Sequence, residues 1–179
     1  CKTLTSDHCN IKYIRREKNL GLMANFVETA KELKGDYVAI CDGDDYWNDS
    51  NKLQMQVEFL ESNIDYAVVG TQAAVLLQNG QSIIKSNPVF QEYTFEEMAL
   101  ENRIIAPTAM FRSISDLLSL PQWFETLPYG DWPIYLMVLN TYNAKACVLP
   151  KETAVYRSDV GESFKMRKNL SEIFYNNAR

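Results

Sequence analysis

Asp42 and Asp44 stand two residues apart, directly after the apolar run Tyr37-Val38-Ala39-Ile40-Cys41. Along an extended backbone, residues i and i+2 present their side chains to the same side, so both carboxylates point one way and Asp45 points the other. Two carboxylates held together repel unless a cation joins them. Hard oxygen donors of this kind suit Mg²⁺ or Mn²⁺, completed by water and by the phosphates of a substrate. Taken alone, the pair reads more readily as a solvated acidic turn. An EF-hand loop fits poorly, because the sixth position from Asp42 is Trp47 where Gly is needed and the twelfth is Leu53 where Glu is needed.

Asp131 is the second candidate. Followed by Trp132 and Pro133, its carboxylate can cap a helix that carries Pro in its first turn. The remaining candidates are weaker. His8 is the single histidine and has no partner pattern, which leaves a Ser-His-Asp or Cys-His enzyme unsupported. Cys1, Cys9, Cys41 and Cys147 show no C-x-x-C spacing, so neither a zinc site nor a disulfide framework is indicated. That usage fits a reduced, cytoplasmic chain, with Cys41 as a small core residue.

Alternating helices and short apolar strands must position these residues. Leu22, Met23, Phe26, Val27, Ala30 and Leu33 lie on one helical stripe that Gly35 ends. Tyr37 to Cys41 reads as a strand buried on both faces. A helix follows over Asn51 to Ser62, with Leu53, Val57 and Leu60 on its apolar face, then a strand over Tyr66 to Gly70. Asn79-Gly80 signals a hairpin between Val75 and Ile84. Thr94 with Glu97 forms a capping box. Thr108 to Phe111, Ala146 to Leu149 and Ala154 to Tyr156 read as strands, Ile11 to Ile14 as an early one, and Phe164 to Tyr175 as a C-terminal helix.

The chain has 179 residues, 46% of them hydrophobic, which fits one α/β domain over 1–179. The net charge of −5 is not clustered, which argues against a nucleic-acid partner. The longest purely apolar stretch, Ala73 to Leu77, is far short of the roughly 18 residues a bilayer span needs. No signal-peptide pattern is visible. Cys1 in place of Met hints that the sequence begins partway into a gene product.

The ordered series Asn19-Leu20-Gly21, Asn25, Lys34 through Trp47 with Asp42-Gly43-Asp44-Asp45, then Lys52-Leu53 with Gln56, resembles the core of the family 2 glycosyltransferases of the GT-A type. The resemblance continues at Gly130-Asp131-Trp132 and Tyr156-Arg157 and covers nearly the whole chain. It implies a nucleotide-diphosphosugar transferase fold with a mostly parallel central sheet flanked by helices. It further implies transfer of a sugar from a nucleotide-diphosphate donor to a hydroxyl of a saccharide or lipid-linked acceptor, with inversion, in bacterial surface polysaccharide or lipid-linked glycan synthesis.

By resemblance, Asp42, Asp44, Asp45, Asn19 and Gly21 serve the donor, and Asp44 holds a divalent ion, Mn²⁺ or Mg²⁺, on the diphosphate. Asp131 keeps the position of the catalytic base, and Trp132 beside it is a candidate acceptor contact. The family's Glu-Asp pair reads Gly130-Asp131 here. Asp159 stands where many relatives have a metal-binding His, and an Asp can take that role through oxygen. A helix N-terminus would hold the Asp131 carboxyl below the ordinary value of about 3.9. Lys165, Arg167 and Lys168 on the last helix form either a solvated face or a contact with anionic lipid at the inner face of the cytoplasmic membrane.

In the family, the domain opens with a strand, a helix and a second strand ending in an acidic motif, none of which is matched here. The expectation is therefore an N-terminally incomplete domain whose strand at Tyr37 to Cys41 lacks its neighbour. Such a chain would bind donor poorly without further sequence, or would pair with a second copy of itself. Two rival functions share the strand-end aspartates: a Mg²⁺-dependent phosphoryl-transfer enzyme, and a non-catalytic sugar-nucleotide or glycan-binding domain.

Overall fold

A computed structural model describes residues 11–77, 79–84, 89–158 and 160. In chain order the elements are α1 (Leu22–Ala30), β1 (Tyr37–Ala39), β2 (Tyr46–Trp47), α2 (Lys52–Ser62), β3 (Tyr66–Leu76), β4 (Ser82–Ile84), β5 (Gln91–Tyr93), α3 (Phe95–Leu100), β6 (Met110–Arg112), α4 (Asp131–Tyr142) and β7 (Lys145–Arg157). Three 3₁₀ turns, Ala106–Thr108, Ser115–Ser119 and Gln122–Thr126, lie between α3 and α4. The expected C-terminal helix over 164–175, the cluster Lys165, Arg167 and Lys168, and Asp159 lie outside the described residues.

The α/β class is as expected, but the sheet is mixed. Its seven described strands run β1-β6-β3-β7-β2, with β4 added to β3 and β5 added to β7. Only β3 and β7 pair in parallel; β1–β6, β3–β6, β3–β4, β2–β7 and β5–β7 are antiparallel. β7 is one strand where two were expected. Pro150, Lys151 and Glu152 interrupt its apolar pattern, and the pairing with β3 jumps there from Gly70↔Val148 to Gln72↔Glu152. A bulge absorbs the extra residues and tolerates the proline.

Strand alternation feeds two cores, one on each face of the sheet. Val38, Val68, Phe111, Ala146 and Val148 face the larger one, with Met23 and Val27 of α1, Met98 of α3 and Ile134, Tyr135, Val138 and Leu139 of α4. Val69, Met110, Cys147 and Leu149 face the other, against Leu60 of α2. Helices therefore cover both faces. β1 is shorter than expected and half-buried: Val38 is buried, Tyr37 and Ala39 partly so. It does have a neighbour, β6, while its other edge pairs with no strand among the described residues. Ile11 to Ile14 is not a strand; Ile11 and Tyr13 are 46% and 47% exposed.

Helix α2 corrects the apolar-face expectation. Leu53 is 40% exposed, and the buried residues are Lys52, Gln56 and Leu60. The reason is a polar network beneath the helix. Gln56 accepts from Lys52 Nζ at 2.7 Å through Oε1 and donates through Nε2 to the carbonyls of Val69 (3.0 Å) and Thr108 (2.8 Å). Lys52 also lies 4.7 Å from the Trp47 ring centroid, and burial lowers its pKa to about 8. Trp47 Nε1 in turn donates to Pro107 O at 2.8 Å. The network ties α2, β2, β3 and the loop before β6 into one unit.

Gln56→Leu strips this network of its centre, leaving a buried ammonium without its acceptor and two carbonyls without this donor. We expect a loss of about 3 kcal/mol or more. Lys52→Met removes the charge along with its need for a partner and should cost roughly half as much or less. Urea denaturation of both variants checks the order; equal losses would mean that Gln56 does not hold Lys52.

Candidate active site

The acidic loop leaves the sheet at the C-terminal end of β1 and folds back as a tight turn, in which Asp45 N–H donates to Asp42 O at 3.1 Å. That turn overrides the extended geometry expected from the sequence. Asp45 does not point away: Asp42, Asp44 and Asp45 each bring a carboxylate oxygen within 4.8 Å of one another. Asp45 Oδ1 also accepts the Arg157 main-chain N–H at 2.8 Å, fastening the turn to the end of β7. β2 adds a second tie through Tyr46↔Val155 and Trp47↔Ala154.

Three crowded carboxylates disfavour their own ionisation. Burial first, then the charges of Asp44 and Asp42, push Asp45 up to about 6 against the pull of the Arg157 N–H. Asp42 is raised by the surrounding protein and by the charges of Asp44 and Asp131. A divalent cation relieves this crowding, and an all-carboxylate donor set is the one that Mg²⁺ or Mn²⁺ prefers.

Asp131 lies at the start of α4. It is the first helical residue, with Gly130 in the capping position. Its Oδ2 accepts from Asn102 Nδ2 at 3.2 Å, and main-chain N–H groups of Trp132 and Asp131 itself also support the carboxylate. These donors lower its pKa, as a helix N-terminus should, but burial is the larger cause and the net shift is upward. The downward shift expected from the sequence is thus overturned, and Asp131 is a better proton acceptor than a free aspartate.

A cavity of about 610 Å³ is shared by the turn and the start of α4. Asp42, Gly43 and Asp44, then Tyr129, Gly130 and Asp131, line it, with Phe26 of α1, the loop Asn102 to Ala106, and Tyr156 completing it. The volume lies within the range of small-molecule sites. The 102–106 loop had no signal in the sequence, yet Asn102 holds Asp131 and Arg103 lines the cavity with its guanidinium paired to Glu101 at 2.8 Å. Its seat depends on Gly70, where a Cβ would meet Ile104 Cγ2 at 2.9 Å. Gly130 is small for a similar reason: a Cβ there would lie 3.1 Å from the Phe26 ring, which occupies the space a larger residue would need.

Other expected site residues are placed differently. Asn19 Oδ1 accepts the Gly21 N–H at 2.9 Å, and Gly21, at φ +80°, opens α1 in a conformation that favours glycine. Both line a neighbouring surface pocket, not the cavity of the aspartates. Trp132 does not line the cavity; it donates to Met98 O at 2.6 Å and stacks behind Tyr129, ring centroids 5.8 Å apart. Tyr129, with Phe26 and Tyr156, supplies the aromatic lining of the cavity. Cys41 is exposed past the end of β1, not in the core, and burial of its sulfur and the nearby aspartates raise its thiol pKa. No described helix is long and apolar enough to cross a membrane.

The arrangement has relatives. The uncharacterized proteins Rv1520 of Mycobacterium tuberculosis and Mb1547 of Mycobacterium bovis are each 29% identical over 146 residues, covering 80% of this chain. The chain spans 41% of the length of these curated relatives. The crystal structure of S. aureus TarS 1–349 matches 88% of this chain with a TM-score of 0.58 at 20% identity, and its complex with UDP-GlcNAc matches 92% with a TM-score of 0.58 at 19% identity. In both, 48% of the TarS chain is covered, and the likeness establishes a shared fold. Residues 1–117, which include the acidic turn, the buried Lys52–Gln56 pair and the loop that holds Asp131, match the model for Glycosyl transferase family 2, and the chain belongs to that family.

Proposed function

We propose that this chain carries the transfer site of an inverting, divalent-metal-dependent glycosyltransferase that uses a nucleotide-diphosphate sugar. The observation that carries the reading is the placement of Asp42, Asp44 and Asp131 on the lining of one cavity of about 610 Å³. Family membership supports the reaction class, and an acidic turn that shares a cavity with a separate carboxylate can supply the two roles the reaction requires.

The chemistry divides between those two groups. An acceptor hydroxyl attacks the anomeric carbon of the donor from the face opposite the diphosphate. The new C–O bond forms as the bond to the diphosphate oxygen breaks, so configuration inverts. Asp131 takes the hydroxyl proton as attack proceeds, and Asn102 holds the carboxylate in place. Its raised pKa brings it closer to the working pH of such a base. At the turn, Asp42 meets the donor and Asp44 with its neighbours would hold Mn²⁺ or Mg²⁺; Asp159, outside the described residues, is a further candidate ligand. Such an ion, when bound, neutralises charge that develops on the leaving diphosphate. Asp45 keeps the turn on β7.

The acceptor is a hydroxyl of a saccharide or a lipid-linked glycan, for which the Tyr129 face backed by Trp132 offers an aromatic platform. UDP-GlcNAc, the ligand of the TarS complex, is the natural first donor to try. Isothermal titration of UDP-sugars into the protein with Mn²⁺ and with EDTA tests the reading. Binding that requires the ion supports it, whereas equal binding in EDTA removes the metal from the account.

A further inference from the structure

We propose that Phe26 determines sugar specificity: with Leu22 its ring forms an apolar patch beside Gly130 that selects a donor sugar presenting a methyl group where a plain hexose presents a hydroxyl. The methyl is that of a 6-deoxy sugar or of an acetamido substituent. The proposal rests on the reading of the cavity as a transfer site with Asp131 as its base. Gly130 directly precedes Asp131 and has no side chain, and a Cβ there would lie 3.1 Å from the Phe26 ring. Phe26 thus takes the space in which the residue before the base would otherwise carry a side chain, and keeps polar groups out of it. The ring is held in place. It stacks on Phe124, centroids 6.1 Å apart and planes 20° apart, and Phe124 is fully buried in the main core.

Leu22 and Phe26 are four residues apart on α1 and share one face of it. Both line the cavity together with Gly130 and Asp131. Leu22 is half-exposed and Phe26 partly buried, so the patch is open to a ligand. None of its side chains can donate or accept a hydrogen bond. Nearby polar side chains of the lining are engaged elsewhere, Asn102 with Asp131 and Arg103 with Glu101. The hydroxyl that Asp131 deprotonates attacks the anomeric carbon, so the donor ring must come within reach of Asp131 and of what packs beside it. A ring hydroxyl turned onto the patch gives up its water and meets no side-chain partner, whereas a methyl gains apolar contact. One such group is worth about tenfold to a hundredfold in discrimination.

Isothermal titration of the whole protein with Mn²⁺ provides the test, using donors that differ only in the sugar: UDP-glucose, UDP-6-deoxyglucose and UDP-GlcNAc, with the dTDP and GDP forms of glucose and 6-deoxyglucose beside them. At least one methyl-bearing donor should bind about tenfold or more tightly than the glucose donor of the same nucleotide. Preference for 6-deoxyglucose assigns the patch to a C6 methyl, and preference for GlcNAc to an acetamido methyl. Phe26→Gln, which puts a hydrogen-bonding group on the patch, should bring the ratio to within about threefold of unity, with the melting temperature as a check that the fold is kept. Leu22→Gln, at a half-exposed position, gives a second variant that should reduce the ratio in the same direction. Glucose donors binding as tightly as their methyl-bearing counterparts overturn the proposal, and so does a preference that both variants leave unchanged. Those results leave donor binding itself intact; absence of binding by every sugar nucleotide instead removes the transfer reading, and this proposal with it.

Discussion

Asp131→Asn should lower sugar transfer by about 10²-fold or more while leaving nucleotide-sugar affinity within a few-fold of the unaltered protein. Asparagine keeps the size of the side chain and can still meet the helix N–H groups through its oxygen, so the start of α4 should survive. What it cannot do is accept the acceptor proton. The raised pKa of Asp131 adds a second expectation: on the acid side, kcat/KM falls as the carboxyl protonates, at a pH above the ordinary aspartate value of 3.8, because burial outweighs its N–H donors. Steady-state transfer assays across pH check both. Near-normal transfer by the asparagine variant would reduce Asp131 to a residue that merely closes a helix.

Asp44→Asn has an equally large expected effect at the acidic turn. Removing one charge from the three-carboxylate turn should abolish the ion-dependent part of nucleotide binding. A ligand present at a hundredfold excess over its Kd stabilises the native state by about 2.7 kcal/mol, a shift that a thermal melt reads directly. The unaltered protein should show that shift with UDP-GlcNAc and Mn²⁺ together; the variant should show little of it. The melting temperature without ligand should not fall, since relieving repulsion among the aspartates removes an unfavourable term. An unchanged, Mn²⁺-dependent shift would take Asp44 out of the metal site.

Local chemistry made much of this architecture legible in the sequence. The capping box of Thr94 and Glu97 forms with both of its hydrogen bonds. The Asn79-Gly80 signal marks the β3–β4 hairpin, with Gly80 at φ +78°. The helices at Leu22 and Asp131 begin where their residues indicate, and the acidic turn follows its strand. Each depends on neighbours within a few residues. Strand direction does not: the pairing of β1 with β6 joins residues more than seventy apart, and a run of apolar residues carries no mark of parallel or antiparallel partners.

The site was legible in the same uneven way. Asp42, Asp44 and Asp131 are brought to one cavity as their order in the chain implied. Asp45 was misdirected because a single turn hydrogen bond replaced the extended backbone. Lys52 and Gln56 went unread as core residues, since apolar periodicity selects Leu53 and Val57 and cannot see that two polar side chains satisfy each other when buried. Asn102 sits in a loop with no periodic or motif signal, and tertiary packing alone brings it to Asp131.

The central claim is that the cavity shared by Asp42, Asp44 and Asp131 transfers a sugar from a nucleotide donor. Its most direct test is the release of nucleoside diphosphate from a panel of sugar nucleotides by the whole gene product, with Mn²⁺ or Mg²⁺ and candidate saccharide acceptors present. The account predicts release from at least one donor, dependent on the ion and on Asp44, and slowed by about 10²-fold or more in Asp131→Asn. Tight, ion-dependent binding of a sugar nucleotide with no release under any acceptor would contradict it and leave a binding domain built on the same fold; release of inorganic phosphate in place of nucleoside diphosphate would contradict it in favour of phosphoryl transfer.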